Sequence, residues 1–185
     1  MTTVFTIGHS NQSAEAFDAL LAGHGIELLI DVRSKPYSRF RHFNTDRLSQ
    51  RLVGSRIQYE HLPDLGGHPP EDEFYERGRV VYERVAMRRQ FKRAIEQVMD
   101  LSEQFRLVLM CTEENPARCH RDPLLARELS ERGIDVQHIR KDGSLEPANA
   151  MVTEPSPQMM LFAGTGEDST WRSPKRIRPK GRQGQ

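Results

Sequence analysis

Apolar residues follow two rhythms along this chain. Short apolar runs occur at residues 4–7 (VFTI), 26–32 (IELLIDV), 107–110 (LVLM) and 134–139 (IDVQHI). Runs of that length, rich in β-branched residues and leucine, read as strands buried on both faces. A shorter candidate strand is IQYE at residues 57–60. Between the runs, apolar residues recur every three or four positions: Phe17, Leu20 and Leu21; Leu48 and Leu52; Met87, Phe91, Ala94, Ile95, Val98 and Leu101; Leu124, Leu125 and Leu129. That spacing predicts helices with one buried face.

Local signals mark the ends. Ser13 is placed to cap the first helix, and Gly23 and Gly25 stop it. Asp122 and Pro123 form a helix start, with Asp as N-cap and Pro at the first helical position, and Gly133 ends that helix. Residues 71–82 fit neither rhythm. No internal repeat is present. Strands alternating with helices predict an α/β fold: a single three-layer Rossmann-like domain with a mostly parallel sheet of about five strands. The domain takes residues 1–148. Residues 149–185, rich in Pro, Gly, Ser and charge, read as a flexible C-terminal tail with an apolar island, MMLF, at 159–162.

Parallel sheets bind ligands beyond the carboxyl ends of their strands, where strand order reverses. In a Rossmann-like order the first strand and the 107–110 strand meet at that point. Three polar clusters follow strand ends: Gly8-His9-Ser10, Asp31-Val32-Arg33 and Cys111-Thr112-Glu113. The topology predicts that they share one crevice.

The last cluster opens the loop CTEENPARCHR, residues 111–121, which holds both cysteines of the chain. A thiolate nucleophile needs a positive setting or a helix N-terminus. Cys119 stands between Arg118 and His120-Arg121, and Cys111 ends a strand. Cys111 is the favoured nucleophile, against the alternative of a small buried hydrophobe. Glu113, His9 and Asp31 are the candidate acids and bases. Asp31 and Glu113 have a structural alternative, holding an arginine by an ion pair. Ser10, Arg33, Arg39, Cys119, His120 and Arg121 are the candidate anion-binding residues, since arginine forks suit phosphate or carboxylate. Cys111, Cys119, His120 and Glu113 also include metal-ligand types, with His9 in reserve. With no CxxC or HxxxH pair, and with Cys119 and His120 adjacent, no metal is expected. No cofactor is assigned. The Cys-to-Arg spacing is one residue longer than cysteine phosphatases use. Rhodanese-type sulfurtransferases are closer in layout, with Asp-Val-Arg after one apolar strand and Cys at the end of another, but their glycine-rich loop is missing.

Composition narrows the classes. Apolar residues make up 36% of the 185 and charged residues 29%. No run approaches the roughly 20 apolar residues of a membrane helix, and no signal peptide is evident. Two cysteines do not make a disulfide framework, so a cytoplasmic protein with reduced thiols is expected. The net charge is +1, but residues 172–185 carry six basic residues and no acids, so the remainder carries −5. The expected partner is a small anionic or nucleotide-like ligand. The alternative is nucleic acid, held by the basic tail and the loop PYSRFRHFN, where cations alternate with aromatics.

The segments GHSN, DVRSKPYSRF–HFN, LGG and CTEENPARCHR, followed by HI and a short turn to Gly143, occur in an order that resembles the domain-of-unknown-function 488 family. The resemblance spans about residues 3–147, and its most specific element is Cys-x-Glu-x5-Cys-His-Arg. It implies one cytosolic α/β domain whose polar clusters belong together. It implies no substrate.

Overall fold

A computed structural model describes residues 2–148 and 171–176. Its centre is a six-stranded sheet: β1 (Thr3–Gly8), β2 (Leu28–Asp31), β3 (Gln58–His61), β6 (Leu107–Cys111), β7 (Asp135–Ile139) and β8 (Leu145–Pro147). The spatial order is β3-β2-β6-β1-β7-β8, parallel throughout except for β8, which returns antiparallel on β7. The α/β class and the layered parallel sheet are as the apolar rhythms predict.

Period-2 alternation sorts the strand side chains into two cores. Phe5, Ile7, Leu29, Val108 and Met110 face Phe17 and Leu21 of α1 (Ala14–Gly23) and Leu48 and Leu52 of α2 (Thr45–Gly54). Val4, Leu28, Ile30, Leu107, Leu109 and Cys111 face the other layer. That layer is built from α3 (Tyr82–Met87), α4 (Arg89–Ser102) and the segment ending in α5 (Arg127–Ser130).

β1 and β6 are neighbours, as expected, and β6 also pairs with β2 on its other edge. All three site-bearing strands are therefore direct neighbours. Two expectations are corrected. Met87 does not join the helical stripe and is 73% exposed: Arg88 is extended (φ −62°, ψ 133°) and breaks the helix there. Asp122 is not an N-cap. The helix begins two residues earlier, capped by His120, with a wide turn, Arg121–Ala126, in which Leu125 N–H donates to His120 C=O. Asp122 instead pairs with buried His138 at 3.1 Å.

The residues that fit neither rhythm form a small hairpin, β4 (Tyr75–Glu76) with β5 (Arg79–Val80). Part of the tail docks beside it. Val81 and Arg172 make an antiparallel bridge, Tyr82 N–H donates to Trp171 C=O (2.8 Å), and Ser173 N–H donates to Val80 C=O (2.8 Å). Trp171 stands edge-on to Tyr82, and the Arg127 guanidinium lies 4.2 Å from its ring centroid. The apolar island at 159–162 and the basic residues Arg178, Lys180 and Arg182 lie outside the described residues. No helix among the described residues is long and apolar enough to cross a membrane.

Candidate functional site

The register sets Gly8 beside Cys111, and Asp31 beside Met110 on the opposite flank of β6. The three clusters therefore do meet at one sheet edge. His9 N–H donates to Cys111 C=O (2.9 Å), and Ser10 N–H donates to Thr112 C=O (2.8 Å). Both loops leave the sheet together. Gly8 permits this, because a Cβ there would overlap the Glu113 carbonyl. Ser10 turns away through a left-handed conformation (φ 45°), uncommon for a residue with a side chain.

Within this edge the candidates separate into three groups. The first is a sealed polar brace. Asp31 is fully buried and its carboxylate accepts from Arg33 N–H (3.1 Å), Arg33 Nε (2.8 Å), Arg33 Nη2 (2.6 Å) and Tyr59 O–H (2.9 Å). Arg33 Nη2 also donates to Phe43 C=O (2.8 Å). Burial pushes the Tyr59 hydroxyl up to about 12, which keeps it a donor. His9, fully buried, stacks on Phe43 with ring centroids 4.3 Å apart. Its Nδ1 lies 2.9 Å from Ser10 C=O and its Nε2 lies 3.4 Å from Arg33 Nη1. The partners assign a neutral ring with the proton on Nδ1. Burial, then the neighbouring Arg33 charge, pushes His9 from 6.5 down to about 4, against the Ser10 hydrogen bond.

The second group holds the Cys111–Arg121 loop. Arg121 is fully buried; its Nη1 donates to Thr6 Oγ1 (3.2 Å) and its Nη2 to the carbonyls of Glu113 and Glu114. Glu113 reaches outward to Lys175 at 2.7 Å. Ser10 lies on a separate groove beside Glu114 and Arg140. Arg39 is exposed, with its guanidinium 4.8 Å from the Phe40 ring centroid.

The third group is a cluster of soft donors. Cys111 Sγ lies 3.8 Å and Cys119 Sγ 3.6 Å from His120 Nδ1, and the three ligand-type atoms fall within 4.8 Å of one another. All three residues are buried. The backbone explains the convergence. Cys119 is extended (φ −123°, ψ 161°) and His120 is helical (φ −68°, ψ −9°), so the chain turns between two adjacent side chains. Gly67 packs flat on the ring: a Cβ there would lie 2.6 Å from His120 Cβ and Cγ. His120 Nε2 is buried and has no hydrogen-bond partner.

The thiols share a proton unevenly. A hydrogen bond with Cys119, then burial, pushes Cys111 well up. Burial also opposes ionisation of Cys119, but its hydrogen bond with Cys111 and the nearby His120 and Arg121 outweigh that and push it down. Cys119 is the more acidic thiol.

This cluster stands on the partition between two cavities. One, about 540 Å3, is bounded by Lys35, His68 and Tyr75. The other, about 500 Å3, is bounded by Tyr82, Arg118, Lys175 and Arg176. Cys111, Thr112, His120 and His68 line both. His68 is pushed down from 6.5 by burial and then by His120. Sequence reasoning missed Gly67 and His68 as site residues. The Gly-Gly-His run after a proline turn is the available signal. It also missed the cleft wall made by residues 173–176, which no short-range pattern announces.

The fold and the cleft define an α/β protein with a mostly parallel sheet and a two-cysteine, one-histidine cluster at its carboxyl edge. The family model described as "Domain of unknown function DUF488" matches residues 12–128. The chain belongs to that family. Neither the search of curated proteins nor that of solved structures returned a match.

Proposed function

We propose that the protein is an enzyme acting on a small phosphorylated or nucleotide-like anion in this cleft, with the Cys111–Cys119–His120 cluster as its reacting centre. One observation carries the reading: two thiols and an imidazole converge on the partition of a two-part cleft whose rim is cationic. Arg33 borders the cleft while held by Asp31 and Phe43 C=O, Arg121 is held by Thr6 and main-chain carbonyls, and Lys35, Arg118, Arg176 and the Glu113-paired Lys175 complete the cationic rim. Clefts with converging polar groups and perturbed titrating groups are where active sites lie. Asp31 and His9 act as positioning residues: they hold Arg33 and Phe43, and so the floor of the site.

The convergence of both thiols on His120 Nδ1, at 3.8 and 3.6 Å, favours a second reading, sulfur transfer or thiol redox, with Cys119 as attacking thiolate and Cys111 as its partner. The test is thermal shift and Cys119 alkylation in the presence of ADP, pyrophosphate and inorganic phosphate. The anion reading expects stabilisation by at least one probe, slower alkylation, and weaker binding by Arg118→Gln. No stabilisation and no protection by any of the three would sink it. A short single-stranded oligonucleotide serves as the fourth probe. Tight binding only to the oligonucleotide, falling steeply with salt, would move the function to nucleic-acid binding.

A further inference from the structure

We infer that Cys111, Cys119 and His120 form a three-ligand Zn2+ site whose fourth position opens into the cleft. The inference uses the same cluster as the proposed function, but it stands on donor geometry alone.

The distances are those of an ion's coordination shell. Tetrahedral Zn2+ with bonds of about 2.3 Å to sulfur and about 2.0 Å to nitrogen places neighbouring sulfur and nitrogen ligands about 3.5 Å apart. Here the sulfur-to-nitrogen edges are 3.8 and 3.6 Å. The sulfur-to-sulfur edge is within the 4.8 Å that spans the group. Placing an ion at the centre draws the sulfur-to-nitrogen edges in by a few tenths of an ångström, within side-chain freedom.

The chemistry of the set selects the ion. Two thiolates and one imidazole are soft and borderline donors, which suit zinc and exclude magnesium or calcium. Two thiolates also neutralise the dication, so the filled site adds little net charge to a buried place. Both sulfurs bind as thiolates: each Cys S–H proton still present leaves to solvent as the S–Zn bond forms, so uptake is linked to pH.

The surroundings are built for a fixed triad. Gly67 lies against the imidazole. The Gly8–Glu113 approach and buried Arg121 hold both ends of the loop that carries the cysteines. His68 borders both cavities beside the cluster. Lining both cavities, it is placed to act on a water or a donor atom of the substrate in the open position. Three protein ligands and one exchangeable position is the arrangement of catalytic rather than structural zinc. Neither Glu113, paired with Lys175, nor His9, sealed under Phe43, belongs to the set.

The test uses the full chain, stripped with a chelator under reducing conditions and titrated with Zn2+ against a chromophoric competitor. One equivalent should bind. Co2+ in its place should show tetrahedral visible bands and a thiolate-to-metal band in the near ultraviolet. Cys119→Ser, Cys111→Ser and His120→Ala should each lower affinity by at least the roughly 100-fold that marks the upper cost of losing an outer partner. Glu113→Gln should leave affinity unchanged. Because a serine variant can fail to fold, alkylation of the wild-type cysteines is measured alongside, and Zn2+ should protect both together at one equivalent. A spectrum without the thiolate band, affinity unmoved by Cys119→Ser in folded protein, or cysteines that alkylate equally fast with Zn2+ would each overturn the site. Metal binding is read without any anionic probe. Failure here, with ADP protection intact, would leave the cleft an active site of thiol chemistry. Zinc bound without any anion effect would do the reverse.

Discussion

Replacing Asp31 with asparagine tests whether the sealed carboxylate is a brace or a base. The substitution keeps the shape and removes the charge. It leaves the Arg33 guanidinium buried at 4% exposure beside a neutral amide. It also turns one acceptor oxygen into a donor that faces Arg33 or Tyr59. Breaking a buried, hydrogen-bonded ion pair from one side costs about 3–5 kcal/mol. For a chain of this size each kcal/mol moves Tm by about 2–4 °C, so the expected drop is roughly 6–20 °C. Urea unfolding with two probes gives the free energy directly and checks that the transition stays two-state. The partner variant Arg33→Met should be comparably costly. Combining the two should cost less than the sum, by about 1–3 kcal/mol, because no lone charge then remains. Asp31→Asn within about 1 kcal/mol of wild type would refute the brace. Asp31 would then be free to serve as the general base that its place at a strand end also suggests.

His9, held near 4 in the folded chain and near 6.5 unfolded, binds more protons in the unfolded state between those values. Stability should therefore be full above about pH 6.5 and fall by up to about 3 kcal/mol toward pH 4, and His9→Gln should flatten that slope; an unchanged slope would contradict the neutral, buried ring. Gly8→Ala should push the Glu113 carbonyl off β1 and cost about 1–3 kcal/mol by urea titration, with a measured cost near zero excluding the close approach. Trp171→Ala should release residues 173–176 from the cleft rim and speed metal-free Cys119 alkylation several-fold with little change at Cys111. Equal rates in the variant and the wild type would show that the docked segment does not guard the thiols.

The layers were legible because burial and periodicity are the same fact seen twice. Residues 26–32 and 107–110 are apolar at nearly every position because helices cover both faces of their strands. Strand order was less legible. Apolar strands of similar length carry no label for their neighbours, and a parallel ladder demands only that connections be long enough to cross. The Rossmann expectation placed β1 against the 107–110 strand correctly, but it did not anticipate that β2 would take the opposite edge of that same strand. Residues 71–82 resisted assignment for another reason. Their hairpin is stabilised by a strand-like segment some ninety residues later, through the Val81–Arg172 bridge and the Ser173 hydroxyl, which accepts from Val80 N–H at 3.0 Å.

At the site, the sequence located the edge, and the structure adds how its side chains are engaged. Strand ends tell where side chains gather, but not which of them turn inward. Arg33 and Arg121 look like anion ligands from their neighbours in sequence. Arg33 borders the cleft but is held by Asp31 and Phe43 C=O, and Arg121 is held by Thr6 and two main-chain carbonyls, because buried guanidinium groups need acceptors inside the protein. The adjacent pair Cys119-His120 argued against a shared ligand only if the chain were regular through it. An extended residue followed by a helical one swings consecutive side chains to the same side, and the wide turn at Arg121–Ala126 sets that change at His120. Wide turns of this kind occur disproportionately at functional sites, since they re-aim a side chain at the cost of regular hydrogen bonding. The convergence of three donors that no spacing rule signals is thus produced by one irregular backbone step.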